Sequence, residues 1–294
     1  MIGTEYRMDV RAKSFWISTF LLPVFIIGLG LFIGFLGSDS DAFMSFSKSM
    51  NVGPQEDQDI SGMQVLGMIT GVFLTIFVMI YGAQVFNKVK SEKTGKIIEV
   101  LVSCVSGRSV MMSKIISTGL VGITQMGLWL LMLLAALGLI LPMVGTLSLA
   151  ALLSVRFIGA IVVSLLYFVG GYVFYGSLFA AAGALTDRNN ENQSYLTFVT
   201  MMLMVSFYIG IYATDSTSAL ATVCFYLPFT SFTVGCVQSV GGLAAWWQTA
   251  ISLVVLYASA ALVLSFAGKI YTSAVLLRGK KLGFKDLLVF LKSK

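Results

Sequence analysis

The chain has 294 residues, is 57% hydrophobic and only 11% charged, and its mean hydropathy is +0.92. Soluble domains carry about twice that charged fraction, so an integral membrane protein with lipid-facing apolar surface is expected. The net charge of +6 with no His excludes His-ligated zinc, His general bases and Ser-His-Asp chemistry, and its placement indicates topology rather than nucleic-acid binding.

Residues 1–13 are polar and basic, with Arg7, Arg11 and Lys13, and are expected to form a short interfacial helix leading into the membrane. Span one is residues 14–36, with Pro23 inside it. No A-x-A-type site follows this long apolar run, so no cleavable leader is expected. Residues 37–62 form an acidic extracytoplasmic loop, with Asp39, Asp41, Glu56, Asp57 and Asp59 against Lys48. Span two is 63–86.

The polar stretch 88–114 follows, KVKSEKTGKIIEVLVSCVSGRSVMMSK. In it Ile97, Ile98, Leu101, Cys104 and Val105 recur at helical spacing, with Lys93, Lys96 and Ser103 turned away from that stripe. Glu92 precedes Lys96 by four residues, the favourable order for a helix-surface ion pair. Such a helix rests its stripe on a membrane or a partner protein while its polar side stays wet.

Span three is 115–141, ended by Pro142, and 144–155 is a weakly polar connection. Span four is 157–185, followed by a second polar break, TDRNNENQS at 186–194, and span five is 195–213. Residues 215–242 are apolar in part but interrupted by Pro228, which predicts a re-entrant hairpin rather than a full span. Span six is 243–267, opened by Trp246 and Trp247 at the interface, and 269–294 is a basic tail.

Six spans with both termini in the cytoplasm place 17 of the 19 basic residues on the inner side and leave Lys48 and Arg156 outside. Counting 215–242 as a full span would put the tail outside and break this asymmetry. The Gly-Lys pairs are followed by Ile or Lys and lack the phosphate-cradling frame, so ATP hydrolysis is not expected of this chain. The six spans contain no Asp, Glu, Lys or Arg, which weighs against a proton-coupled carrier or a carboxylate-lined ion site. Gln84 and Gln125 are expected to hydrogen-bond between helices, and Gly127, Gly138, Gly170, Gly171 and Gly176 to let helices approach closely. Cys224 and Cys236 fall on the outer side, where an oxidising compartment would permit a bridge; unpaired thiols packed as small hydrophobes are the expectation.

The stretch VKSEKTGKIIEVLVSCVSGRSVMMSKII resembles the cytoplasmic loop of ABC-2-type exporter permeases, in particular the NatB-like branch. RAKSFWISTFLLP, AGALTDRNNENQS, YLPFTS and GKKLGFKDLLVFL are similar to that family's entry to span one, second cytoplasmic break, re-entrant region and basic tail. The loop 37–62 is much shorter than the extracellular domain of many NatB-like members, so the sodium substrate does not carry over with the resemblance.

The resemblance implies an all-α integral membrane fold of the ABC-2, type V exporter kind: six transmembrane helices, a cytoplasmic coupling helix between spans two and three, and a re-entrant hairpin between spans five and six. It also implies a homodimer or paralogous pair working with two copies of a cytoplasmic ABC ATPase in a bacterial inner membrane. ATP and Mg would sit on that partner and no cofactor on this chain. Carried over, the ATPase-coupling residues are Glu92, Lys93, Thr94, Gly95, Lys96 and Glu99, with Asp187, Arg188, Asn189, Asn190, Glu191 and Asn192 from the second break. The substrate path would run between spans one, two and five of both copies. A pathway without intramembrane charge suits an amphipathic, lipid-like or peptidic substrate. The alternatives are a sodium or cation export permease, and a non-transporting anchor that recruits a cytoplasmic ATPase.

Overall fold

A chain crossing lipid must satisfy its backbone internally, which leaves helices or closed barrels. The computed structural model describes residues 2–13, 15–17, 19–20, 62–94, 107–144, 155–186, 194–212 and 219–276, and every regular element among them is helical. In chain order these are α1 (Ile2–Arg11), α2 (Gly62–Thr94), α3 (Gly107–Val144), α4 (Val155–Leu185), α5 (Ser194–Tyr212), α6 (Ala219–Tyr226), α7 (Ser231–Val240) and α8 (Trp246–Leu276). Five of them, α2, α3, α4, α5 and α8, are long and apolar enough to cross a membrane; the bent pair α6–α7 makes six if it counts as one span. Span one and the loop 37–62 lie outside the described residues, apart from short helical stretches at 15–17 and 19–20.

The helices overrun the apolar runs. With 33 and 38 residues, α2 and α3 extend to about 50 and 57 Å at 1.5 Å per residue, against about 30 Å of hydrocarbon. Much of the polar stretch 88–114 is therefore helix continuous with the spans: Lys88–Lys93 ride on α2, and Arg108 and Lys114 on α3. Charge in the sequence marks where hydrocarbon ends, and good helix formers such as Lys and Glu let the helix continue past that point. Likewise α3 carries Pro142 in its last turn and stops at Val144, three residues beyond the expected end of span three.

The axis of the bundle is α4, which packs against α2, α3, α5, α7 and α8. Its Tyr167, Phe168, Tyr172, Phe174, Tyr175 and Phe179 are all buried. Small residues set the closest approaches. A Cβ on Gly183 would lie 2.7 Å from the Phe86 carbonyl oxygen of α2, and one on Gly67 would lie 2.4 Å from that of Val237 on α7. Only glycine admits backbones that near, and in lipid such packing replaces the missing hydrophobic drive. Gly170 and Gly171 serve the same purpose against Leu256 and Phe232, whereas Gly127 faces open space. The side chain of Gln125 accepts the Tyr81 hydroxyl across α2–α3, while Gln84 is exposed on α2 and makes no interhelical hydrogen bond among the described residues.

The bent pair turns through 114° at a break containing Pro228. Its arms of 8 and 10 residues reach only about 12 and 15 Å. Irregular backbone at this depth needs partners, and side chains supply them. Tyr175 donates to the Phe229 carbonyl at 2.7 Å, Ser252 to Phe225 at 2.8 Å and Thr230 to Cys224 at 2.6 Å. The hydroxyl of Thr233 is 3.3 Å from that of Thr75 on α2 and 3.1 Å from that of Ser206 on α5. Cys224 and Cys236 flank the break as buried free thiols.

Candidate functional site

The ends of α2 and α3 that flank residues 95–106 are joined by charge, and the joint includes two acids from α1. Glu5 and Asp9, four residues apart, lie on the side of α1 that packs against α3. The Lys114 ammonium, on α3, is paired with a carboxylate oxygen of Glu5 and with one of Glu92, on α2. Ser117 donates to the other Glu5 oxygen at 2.9 Å. Beside this triad, Lys88 pairs with Asp9 and donates to the Thr118 hydroxyl at 2.9 Å. Tyr6 completes the seam with a 2.9 Å hydrogen bond to Thr124.

The two ion pairs differ in solvation. Side-chain exposure is 9% for Lys114, 11% for Glu5 and 24% for Glu92, but 25% and 28% for Lys88 and Asp9. Two cations meet three carboxylates, and Glu92 Oε2 is buried with no hydrogen-bond partner among the described residues. The triad is therefore held almost wholly by Lys114, whose three N–H groups are the natural donors for two facing carboxylates.

Of the expected coupling residues, Glu92 and Lys93 are placed and Thr94 closes α2. Glu92, read from the sequence as the partner of Lys96 on a wet helix surface, is turned into the bundle and bonded to Lys114. Lys93 reaches from α2 to the backbone carbonyl of Thr186, at the end of α4, over 3.3 Å. The two polar breaks, after α2 and after α4, thus start from helix ends that are tied together. Gly95, Lys96, Glu99, Asp187, Arg188, Asn189, Asn190, Glu191 and Asn192 lie outside the described residues, as does the apolar stripe from Ile97 to Val105. A third tie runs from Arg108, at the start of α3, to Ser265 on α8 at 3.2 Å.

Glu5 and Asp9 escaped the sequence reading, which took only the basic residues of 1–13. The available signal was their spacing: two acids four apart form one acidic stripe on a helix whose other charges are all positive. Among the described residues no group of three or more His, Cys, Asp or Glu side chains is arranged to hold a metal ion. The geometry is that of a brace: it fixes the relative positions of helix ends.

A family profile described as "ABC-2 family transporter protein" matches residues 44–269. Among curated proteins, the chain is 24% identical over 246 residues to the uncharacterized protein YhaP of Bacillus subtilis (strain 168), an alignment covering 82% of this chain and 58% of that protein. It is also 24% identical over 148 residues to the uncharacterized protein MJ1024 of Methanocaldococcus jannaschii, covering 50% of this chain and 34% of the relative. The alignments thus span less than two thirds of either relative. No solved structure matches.

Proposed function

The chain belongs to the ABC-2 transporter family, and from that premise we propose that it is the membrane-spanning permease subunit of an ATP-driven exporter. ATP, with Mg, is hydrolysed on a separate cytoplasmic ABC ATPase, two copies of which serve a pair of permeases in the bacterial inner membrane. The charged ends of α2 and α3 face the cytoplasm, as the 17 basic residues on one side favour. The pair α6–α7 is a re-entrant hairpin entering from the other side.

The family match carries this reading, and the brace supports a mechanical route. Residues 95–106, the expected coupling helix, receive the ATPase stroke. Because Glu92 and Lys114 join the helix ends on either side of that segment, a push on it displaces α2 and α3 as one body. The Lys93–Thr186 contact hands the motion to the end of α4 and the second break, 187–192. Two global states with different contacts to the motor suffice to move a substrate. Spans without ionisable side chains in their apolar runs favour an amphipathic, lipid-like or peptidic substrate over a bare cation.

The test is reconstitution with the cognate ATPase in vesicles. Glu99→Lys should lower the permease-stimulated ATPase rate with membrane insertion intact. An unchanged rate would sink the coupling assignment, and transport that survives ATP depletion would sink the exporter reading. Sodium pumping without response to hydrophobic compounds would replace the substrate class.

A further inference from the structure

The charges of α1 are sorted by side. Its only acids, Glu5 and Asp9, face inward and are consumed by Lys114 and Lys88. The outward side shows Arg7 and Arg11, one helical turn apart, with Met8 beside them, all exposed, and Lys13 is exposed just beyond. No acid shares that side. Arg7, Met8, Arg11 and Ala12 line a shallow depression that is open to the surroundings. The chain then turns at once to exposed apolar side chains, Trp16, Ile17 and Phe20. The Trp16 and Phe20 rings stack at 5.7 Å. Aromatic residues of this kind mark the boundary between headgroups and acyl chains, which sets the two arginines at phosphate depth.

We propose that the Arg7–Arg11 face of α1 is a binding site for the headgroup of an anionic phospholipid, with the guanidinium groups taking the phosphate oxygens and Met8, Trp16 and Phe20 lying against the lipid. Arginine's planar fork suits phosphate in a way that a point charge does not. An inward acid pair would cancel this field if it shared the face; pairing the acids with Lys88 and Lys114 leaves the outward field purely positive. The inference is independent of the ATPase reading, because it concerns the isolated chain in contact with lipid.

The purified full-length chain in a neutral detergent is titrated with dioctanoyl phosphatidylglycerol or dioctanoyl phosphatidylcholine, and bound lipid is counted by native mass spectrometry. The wild type should prefer the anionic lipid. In R7Q/R11Q its apparent affinity should fall by about 30-fold, from about fivefold for each basic side chain near an anionic surface. The variant R7K/R11K, which keeps the charge, should retain part of the preference, and the unchanged thermal unfolding of all three chains would show that folding is not the cause. Equal binding of the two lipids by the wild type, or an undiminished preference in R7Q/R11Q, overturns the proposal. Displacement of the lipid by millimolar inorganic phosphate would assign the site to a free anion instead. Loss of the ATPase from the R7Q/R11Q complex with lipid affinity unchanged would make this face a protein interface.

Discussion

Replacing Lys114 by Met keeps the length and most of the volume of the side chain and removes its charge. Two carboxylates, those of Glu5 and Glu92, then face each other with 11% and 24% exposure and no cation between them; Ser117 still donates to Glu5. Breaking a buried pair by deleting one partner costs about 3–5 kcal/mol. At about 2–3 °C per kcal/mol for a chain of this size, the unfolding midpoint should drop by roughly 6–15 °C. Lys88→Met is the internal control. Its partner Asp9 and Lys88 itself are about a quarter exposed, so the loss should stay near 1 kcal/mol, as for solvated pairs. Glu5→Gln/Glu92→Gln/Lys114→Met removes all three charges together and should recover most of the loss. A thiol-reactive fluorophore reads the transition, since Cys224 and Cys236 are buried and become accessible on unfolding; Cys104 is replaced by Ser in every variant. If Lys114→Met and Lys88→Met unfold at the same temperature, or the triple variant is no better than Lys114→Met alone, the buried brace is not what holds these helix ends.

Gly67→Ala drives a methyl group against the Val237 carbonyl oxygen and should cost about 1–3 kcal/mol by overpacking, measured by the same thermal scan. Thr233→Val removes the hydroxyl shared by Thr75 and Ser206; at about 0.6 kcal/mol for each interhelical bond in lipid, the loss should be near 1 kcal/mol. Tyr81→Phe leaves the Gln125 side-chain oxygen without its donor and should lower stability by roughly 1 kcal/mol, with Tyr81→Phe/Gln125→Leu less affected than the sum of the single variants. Maleimide labelling of Cys224 and Cys236 in the folded chain should be far slower than in denaturant, and rapid labelling of the native protein would show that the α6–α7 break is open to solvent.

The helical membrane architecture was legible in the sequence because its causes are local. A run of about 20 apolar residues meets the thickness of the bilayer wherever it occurs, and lipid leaves the backbone little choice but a helix. The break between α6 and α7 was visible for a similar reason: Pro228 interrupts a stretch that is apolar only in part and too short there to cross. The hydrogen bonds that make the break tolerable were not, since Tyr175 and Ser252 lie 54 and 27 residues from the carbonyls they serve.

The candidate site divides the same way. Lys88, Glu92 and Lys114 stand out as charges beside apolar runs, and the family resemblance directs attention to Glu92. Their pairing is a long-range fact: Glu5 and Asp9 are separated from their lysines by 109 and 79 positions, and no periodicity in either segment encodes the match. That distance is why the sequence pointed Glu92 only to Lys96, four residues away and outside the described residues, and not to Lys114 on an adjacent helix. Hydrophobic length and charge asymmetry determined what kind of protein this is; the packing of α1 across the ends of α2 and α3 decided which charges are spent inside and which, Arg7 and Arg11, are left to face outward.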